Sequence, residues 1–176
     1  MSVTTLPEAK TYLNLSLSTT QHDTEVQTFI DRAESLVAER CGPLVAAPKS
    51  GRYTAGRDGL ALPVYPIRSL TSVTPVGGGT SLTVGDLYAG DDGVVEMAAG
   101  GYFPPGRYDV AWIAGHADDA ATVPPDLKLG VLELIRHLWD TQRGASRTRT
   151  DAGTPGAAYI FPYRVEQALG PYTMDL

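Results

Sequence analysis

Nucleophilic catalysis needs a Ser or Cys presented beside a base, and no G-x-S-x-G turn occurs in the 176 residues. Cys41 is the single cysteine and falls in helical register with Val26, Phe29, Ile30, Ala33, Leu36 and Val37, so it reads as a core residue. His22, His116 and His137 stand apart from one another, outside any H-E-x-x-H or C-x-x-C spacing. Glu133 and His137 share a helix face at i, i+4, where a local side-chain pair is the better reading than a metal or acid/base role. Gly77, Gly78 and Gly79 lack the Lys-Ser or Lys-Thr that completes a phosphate loop. Asp86, Asp91 and Asp92 with Gly93 lack the alternating ligands and closing Glu of a calcium loop. Asp118 and Asp119 are adjacent carboxylates that no spacing places across a cleft. The residues point to no catalytic set, no metal and no cofactor, and an enzyme is disfavoured.

The elements that would position any site follow from periodicity. Thr5 and Glu8 form a capping box ahead of Leu6, Ala9, Tyr12 and Leu13, which predicts a short first helix. Thr20 and Asp23 open a second helix, whose apolar stripe runs to Cys41 and stops at Gly42 and Pro43. From about residue 50 the period becomes that of strands: RYTAG, LALPVYPI, SLTSVTPV, SLTV, LYAG, VVEM and RYDVAWIAG, with Asp92-Gly93 as a hairpin turn. Alternation in the last of these places Val110, Trp112 and Ala114 on one face, with Trp112 in a core. A third helix starts at Pro124 and Pro125 with Leu127, Val131, Leu134, Ile135 and Leu138 as its stripe, and Leu129, Leu132 and Trp139 outside it. A helix apolar nearly all round is deeply buried or shared with another subunit. Residues 144–158 are small, polar and Gly-rich, the composition of a loop or of a segment that a partner orders. A last helix is expected from Pro162 to Leu169.

The expected fold is α+β: a small helical bundle of about four helices, built from 1–49 and 116–176, with a β-rich antiparallel insertion at about 50–115 between the second and third helices, all one domain over 1–176. Such a length supports a core without disulfides or metal. The start MSVTTLPEAK has no signal-peptide pattern and no stretch has membrane-spanning hydrophobicity, so neither secretion nor a membrane partner is expected. Charge is uneven: residues 1–42 carry −3, 43–85 carry +3, 86–119 carry −6 and 120–176 balance. The acidic block repels nucleic-acid phosphate, while Arg143, Arg147 and Arg149 form a compact basic cluster, read first as solvated loop charges and otherwise as contact with an acidic partner surface or with passing DNA.

In order along the chain stand LPEAKTYLNL, DTEVQTFIDRAESLVAERCG, a β-rich stretch, RYDVAWIAGHADDAATVPPDLKLGVLELIRHLW and FPYRVEQALGPY. This ordered set resembles the head-tail connector (adaptor) proteins of long-tailed bacteriophages, across nearly the whole chain. The β stretch is long for the simplest members of that family, which are largely helical. The resemblance implies a structural virion protein of the neck, without catalytic residues or cofactors. It further implies a homo-oligomeric ring, a dodecamer in the virion, that joins the portal protein to the next neck, stopper or tail-completion protein. Such a ring extends the DNA channel, letting genomic DNA pass without specific binding, and assembles in the host cytoplasm. Another completion protein of the particle is the nearer alternative; a small hydrolase or carbohydrate-binding module, using for example Trp112 with Tyr102, is the more distant one.

Leu129, Leu132 and Trp139 are the candidates for the ring contact, with burial inside the subunit an equal reading for them. Related connectors reach the portal with their last helix and tail. Arg143, Arg147 and Arg149, with the aromatic anchors Tyr159, Phe161, Tyr163 and Tyr172, are therefore the candidates for the portal or partner interface, closure of the helical core being the other reading for two or three of these aromatics. Removal of 162–176 is expected to leave a folded protein that no longer joins the portal.

Overall fold

Thr5 starts the first helix as the capping box predicts: its hydroxyl accepts from the Glu8 amide, and the Glu8 carboxylate accepts from the Thr5 amide at 2.9 Å. The structure, a computed structural model, describes residues 2–78, 80–90, 92–143 and 161–173. Among these residues there are four helices, α1 (Leu6–Tyr12), α2 (Asp23–Cys41), α3 (Pro125–Arg143) and α4 (Tyr163–Leu169). Six strands lie between α2 and α3: β1 (Ala47–Ala55), β2 (Leu60–Ala61), β3 (Ile67–Pro75), β4 (Leu87–Ala89), β5 (Val94–Met97) and β6 (Gly106–Ala114).

The chain divides into two compact units, Met1–Ala38 with Pro124–Thr173, and Glu39–Val123. The expected fold class, a small helical bundle carrying a β-rich insertion, is corrected by the arrangement of the strands. The strands form two three-stranded antiparallel sheets, in the orders β1-β6-β3 and β2-β5-β4, with helices at both ends of the chain. The physical reason is that the strand region buries a core of its own, made of Leu60, Leu62, Val73, Val95, Phe103, Tyr108, Val110 and Trp112.

In the helical unit, α3 turns Leu127, Val131, Leu134 and Ile135 fully inward. Val165 and Leu169 of α4 are equally buried. A Cβ at Gly130 would lie 2.6 Å from Leu169 Cδ2, so α4 seats where α3 has no side chain. Polar groups tie the rest of the unit together. Lys10, only 4% exposed, donates to Asp23 Oδ1 at 2.6 Å and to the Thr19 carbonyl, joining α1 to the start of α2. One oxygen of Glu34 accepts from the Ser2 hydroxyl and from the amides of Val3 and Thr4, each at 2.8 Å.

In the strand unit, β6 is the central strand of its sheet and alternates as its sequence predicts. Tyr108, Val110, Trp112 and Ala114 are buried, while Arg107 and Asp109 face solvent. Trp112 is 1% exposed, donates from Nε1 to the Val64 carbonyl at 3.0 Å, and meets the edge of Tyr53 at 5.7 Å. On the outer face Arg52 pairs in register with Asp109 through two bonds of 2.8 and 2.9 Å. β3 meets β6 with two register shifts, between Ile67 and Ser69 and between Leu70 and Ser72. Gly93 turns the β4-β5 hairpin at φ +81°, a conformation that strains other residues. The expected strand at SLTV is instead a single bridge from Leu82 to Val73, followed by a 3-10 turn over Val84–Asp86.

Two measurements check this account. Trp112→Ala should cost about 3–5 kcal/mol in denaturant unfolding followed by a probe in the strand unit, because it empties that core. The Lys128 ammonium, 2.7 Å from Glu8, and the Thr5 amide hold the Glu8 carboxyl down at about 2, from an ordinary 4.5. Its stabilising contribution is therefore complete above the unfolded value and is lost as pH falls toward the folded one. The melting-temperature gap between wild type and Glu8→Gln should be open at about pH 6 and closed by about pH 2.

Candidate docking faces

The helices leave one side of α3 uncovered. Leu132 lies in a shallow groove with Pro7, Glu8, Thr11 and Tyr12 of α1. On the other flank Leu129, 43% exposed, sits in a second groove with Asp126, Glu133, Arg164, Gln167, Ala168 and Pro171. Ionic and hydrogen bonds help to fix the ridge between the grooves. Tyr12 donates its hydroxyl to Glu133 at 2.8 Å, and Lys128 bonds Glu8. Burial and the facing Glu133 carboxylate raise the Tyr12 phenol above its usual value, keeping it a neutral donor.

The sequence-predicted residues separate on this geometry. Leu129 and Leu132 lie on the same outward face, whereas Trp139 lies edge-on to Phe29 and His22, with centroids 6.1 and 5.6 Å away. Tyr163 is 79% exposed, Tyr172 is partly exposed, and Phe161 is 8% exposed. Arg147, Arg149, Tyr159, the 144–158 segment and the side chain of Arg143 lie outside the described residues, as do Gly79 and Asp91. The burial of Val165 and Leu169 makes α4 part of the core, so point changes at its exposed residues probe docking where deletion of 162–176 would open the core.

Groups weighed for chemistry are engaged structurally. Cys41 is fully buried, and burial pushes its thiol up to about 11, out of reach of thiolate chemistry near neutral pH. His116 Nε2 lies 2.7 Å from the Cys41 carbonyl at the end of α2, and burial lowers its affinity for a proton. Trp112 is enclosed and offers no platform to a sugar, while Tyr102 is 71% exposed. Among the described residues no group of three or more His, Cys, Asp or Glu is arranged to hold a metal ion, and no helix is long and apolar enough to cross a membrane.

Sequence reading missed the pairing of Glu133 with Tyr12, because the partners stand 121 positions apart. It also missed the Glu34 clasp and the exposure of Tyr88, neither of which has a local signature.

No family profile and no curated protein sequence matches this chain. Solved structures do share its fold. A chain in the neck of an empty GTA particle computed with C6 symmetry aligns with a TM-score of 0.68 at 19% identity, over 99% of this chain and 91% of its own. A chain in the virion of a native gene transfer agent (GTA) particle gives 0.66 at 18%, with the same coverage of 99% and 91%. A chain in the neck of a native GTA particle computed with C12 symmetry gives 0.62 at 18%, over 100% and 95%. At these identities the likeness is one of fold, and it spans both chains almost end to end.

Proposed function

We propose that this chain is a structural protein of the neck of a phage-like particle: a connector, acting as one domain, that forms a ring between the portal and the tail or tail-completion protein and extends the DNA channel. The observation that carries the reading is the fold shared over 99% of the chain with a chain of a gene transfer agent neck. Neighbours in particles treated with C6 and C12 symmetry support a cyclic assembly. In a ring each copy meets the next through two different surfaces. The outward face of α3, with Leu129 and Leu132 over two grooves, suits one of them. The exposed Tyr163 and the partly exposed Tyr172 suit contact with the portal. A net charge of −6 suits a conduit that passes DNA without holding it. The site of action in this reading is the virion neck, after assembly in the host cytoplasm.

Light scattering over a concentration series, followed by negative-stain electron microscopy, tests the proposal with and without the portal. Closed rings, alone or on the portal, are expected; a protein that stays monomeric and ignores the portal overturns it. Leu129→Asp with Leu132→Asp should keep the helical circular dichroism and raise the concentration for ring formation about tenfold or more, as loss of interface anchors does. Tyr163→Ser should leave the ring intact and weaken capture by the portal in a pull-down.

A further inference from the structure

The sheet β2-β5-β4 exposes Ala61, Tyr88 and Glu96 on its outer face. Tyr88 on β4 stands opposite Glu96 on β5, and both are exposed, Tyr88 by 59%. Beside them a cleft is lined by Arg57, Asp58, Glu96, Met97, Gly100 and Tyr102. Tyr102 is 71% exposed, and the Arg57 guanidinium carbon lies 4.3 Å from its ring centroid. The face thus already seats one guanidinium on an aromatic ring, with two carboxylates alongside. Tyrosines bury large areas at low rotamer cost, so Tyr88 and Tyr102, each neighbouring Glu96, are suited to anchor a partner there.

Charge decides the occupant. At the cleft itself Asp58 and Glu96 are the acids and Arg57 is already seated on Tyr102, so the groups left to meet a partner are carboxylates, which suit a cation rather than a phosphate. The complementary stretch of this chain is Arg143–Arg149, with three arginines and no acid. It begins at the end of α3 and runs beyond the described residues.

We infer that the Tyr88-Glu96-Tyr102 face receives the Arg143–Arg149 segment of a second copy, so that guanidinium groups stack on the tyrosines and pair with Asp58 and Glu96. The inference rests on the ring reading and names a heterologous contact within it. Acid on one surface and arginine on the other also disfavour back-to-back pairing of identical faces.

The test uses the full chain in three forms: D58K/E96K on the face, R147E/R149E on the segment, and a chain carrying all four changes. All four residues lie outside the buried core or the described residues, and circular dichroism checks each fold. Each pair alone should raise the concentration for ring formation about tenfold, and the fourfold variant should recover it. An equimolar mixture of the two failing variants should also form rings, because a reversed face then meets a reversed segment around an even-numbered circle. Rings indifferent to either pair of changes overturn the contact and leave the neck reading standing. Recovery in the fourfold variant without recovery in the mixture places the contact inside one chain and overturns the second-copy occupant. A wild type that forms no ring, alone or on the portal, overturns the neck reading instead, and this contact with it.

Discussion

The helical unit depends on α3 being packed on one side and bare on the other. Its inward stripe, Leu127, Val131, Leu134, Ile135 and Leu138, supplies much of the core. The close seat of Leu169 against Gly130 fixes α4, while Tyr12 and Lys128 fix α1 through hydrogen bonds to carboxylates. Because the flanking elements are held at the margins of α3, its outer ridge stays clear. Such a face is held rigid without being covered by the neighbouring helices, so a contact made there would carry little ordering cost.

The strand unit obeys a different constraint. β6 must pair on both sides, and its buried face must find a second layer. The sheet β2-β5-β4 supplies that layer, so Trp112, Val95 and Phe103 close one core. A set of strands that meets its own burial requirement is a compact unit in its own right, which is why two three-stranded sheets with helices at both ends of the chain describe the fold better than a small helical bundle does. The outer faces are left polar, small or aromatic, and it is there that chemistry toward another molecule is available.

Features set by neighbouring residues were legible in the sequence. The Thr5-Glu8 box, the α2 stop at Gly42 with φ +85°, the turn at Gly93 and the alternation of β6 all stand where spacing puts them. Leu129 and Leu132 were legible as surplus apolar residues, because a helix stripe has a fixed width. Long-range choices left no local trace. Pairing of β1 with β6 joins Arg52 to Asp109, and nothing near either residue announces the other. Glu133 offered a histidine at i, i+4, yet its structural partner comes from α1. At SLTV the β-branched residues suggest a strand, but Gly85 and Asp86 close a 3-10 turn instead. For Trp139 the sequence leaves ring contact and burial within the subunit equal, and its neighbour Phe29 comes from α2, more than a hundred positions away.

The sheet β1-β6-β3 leaves β1 and β3 as its margins, and both are built to refuse a stranger. β1 carries Pro48 and Lys49, while β3 is bulged twice and ends at Pro75. Proline withholds a donor, lysine resists desolvation and bulges break the flat run of amides, so neither margin is a template for strand addition. Open, flat margins are what lets the sheets of neighbouring molecules zip together. Blunted margins leave recognition to side chains, which can be made to fit one neighbour and not another.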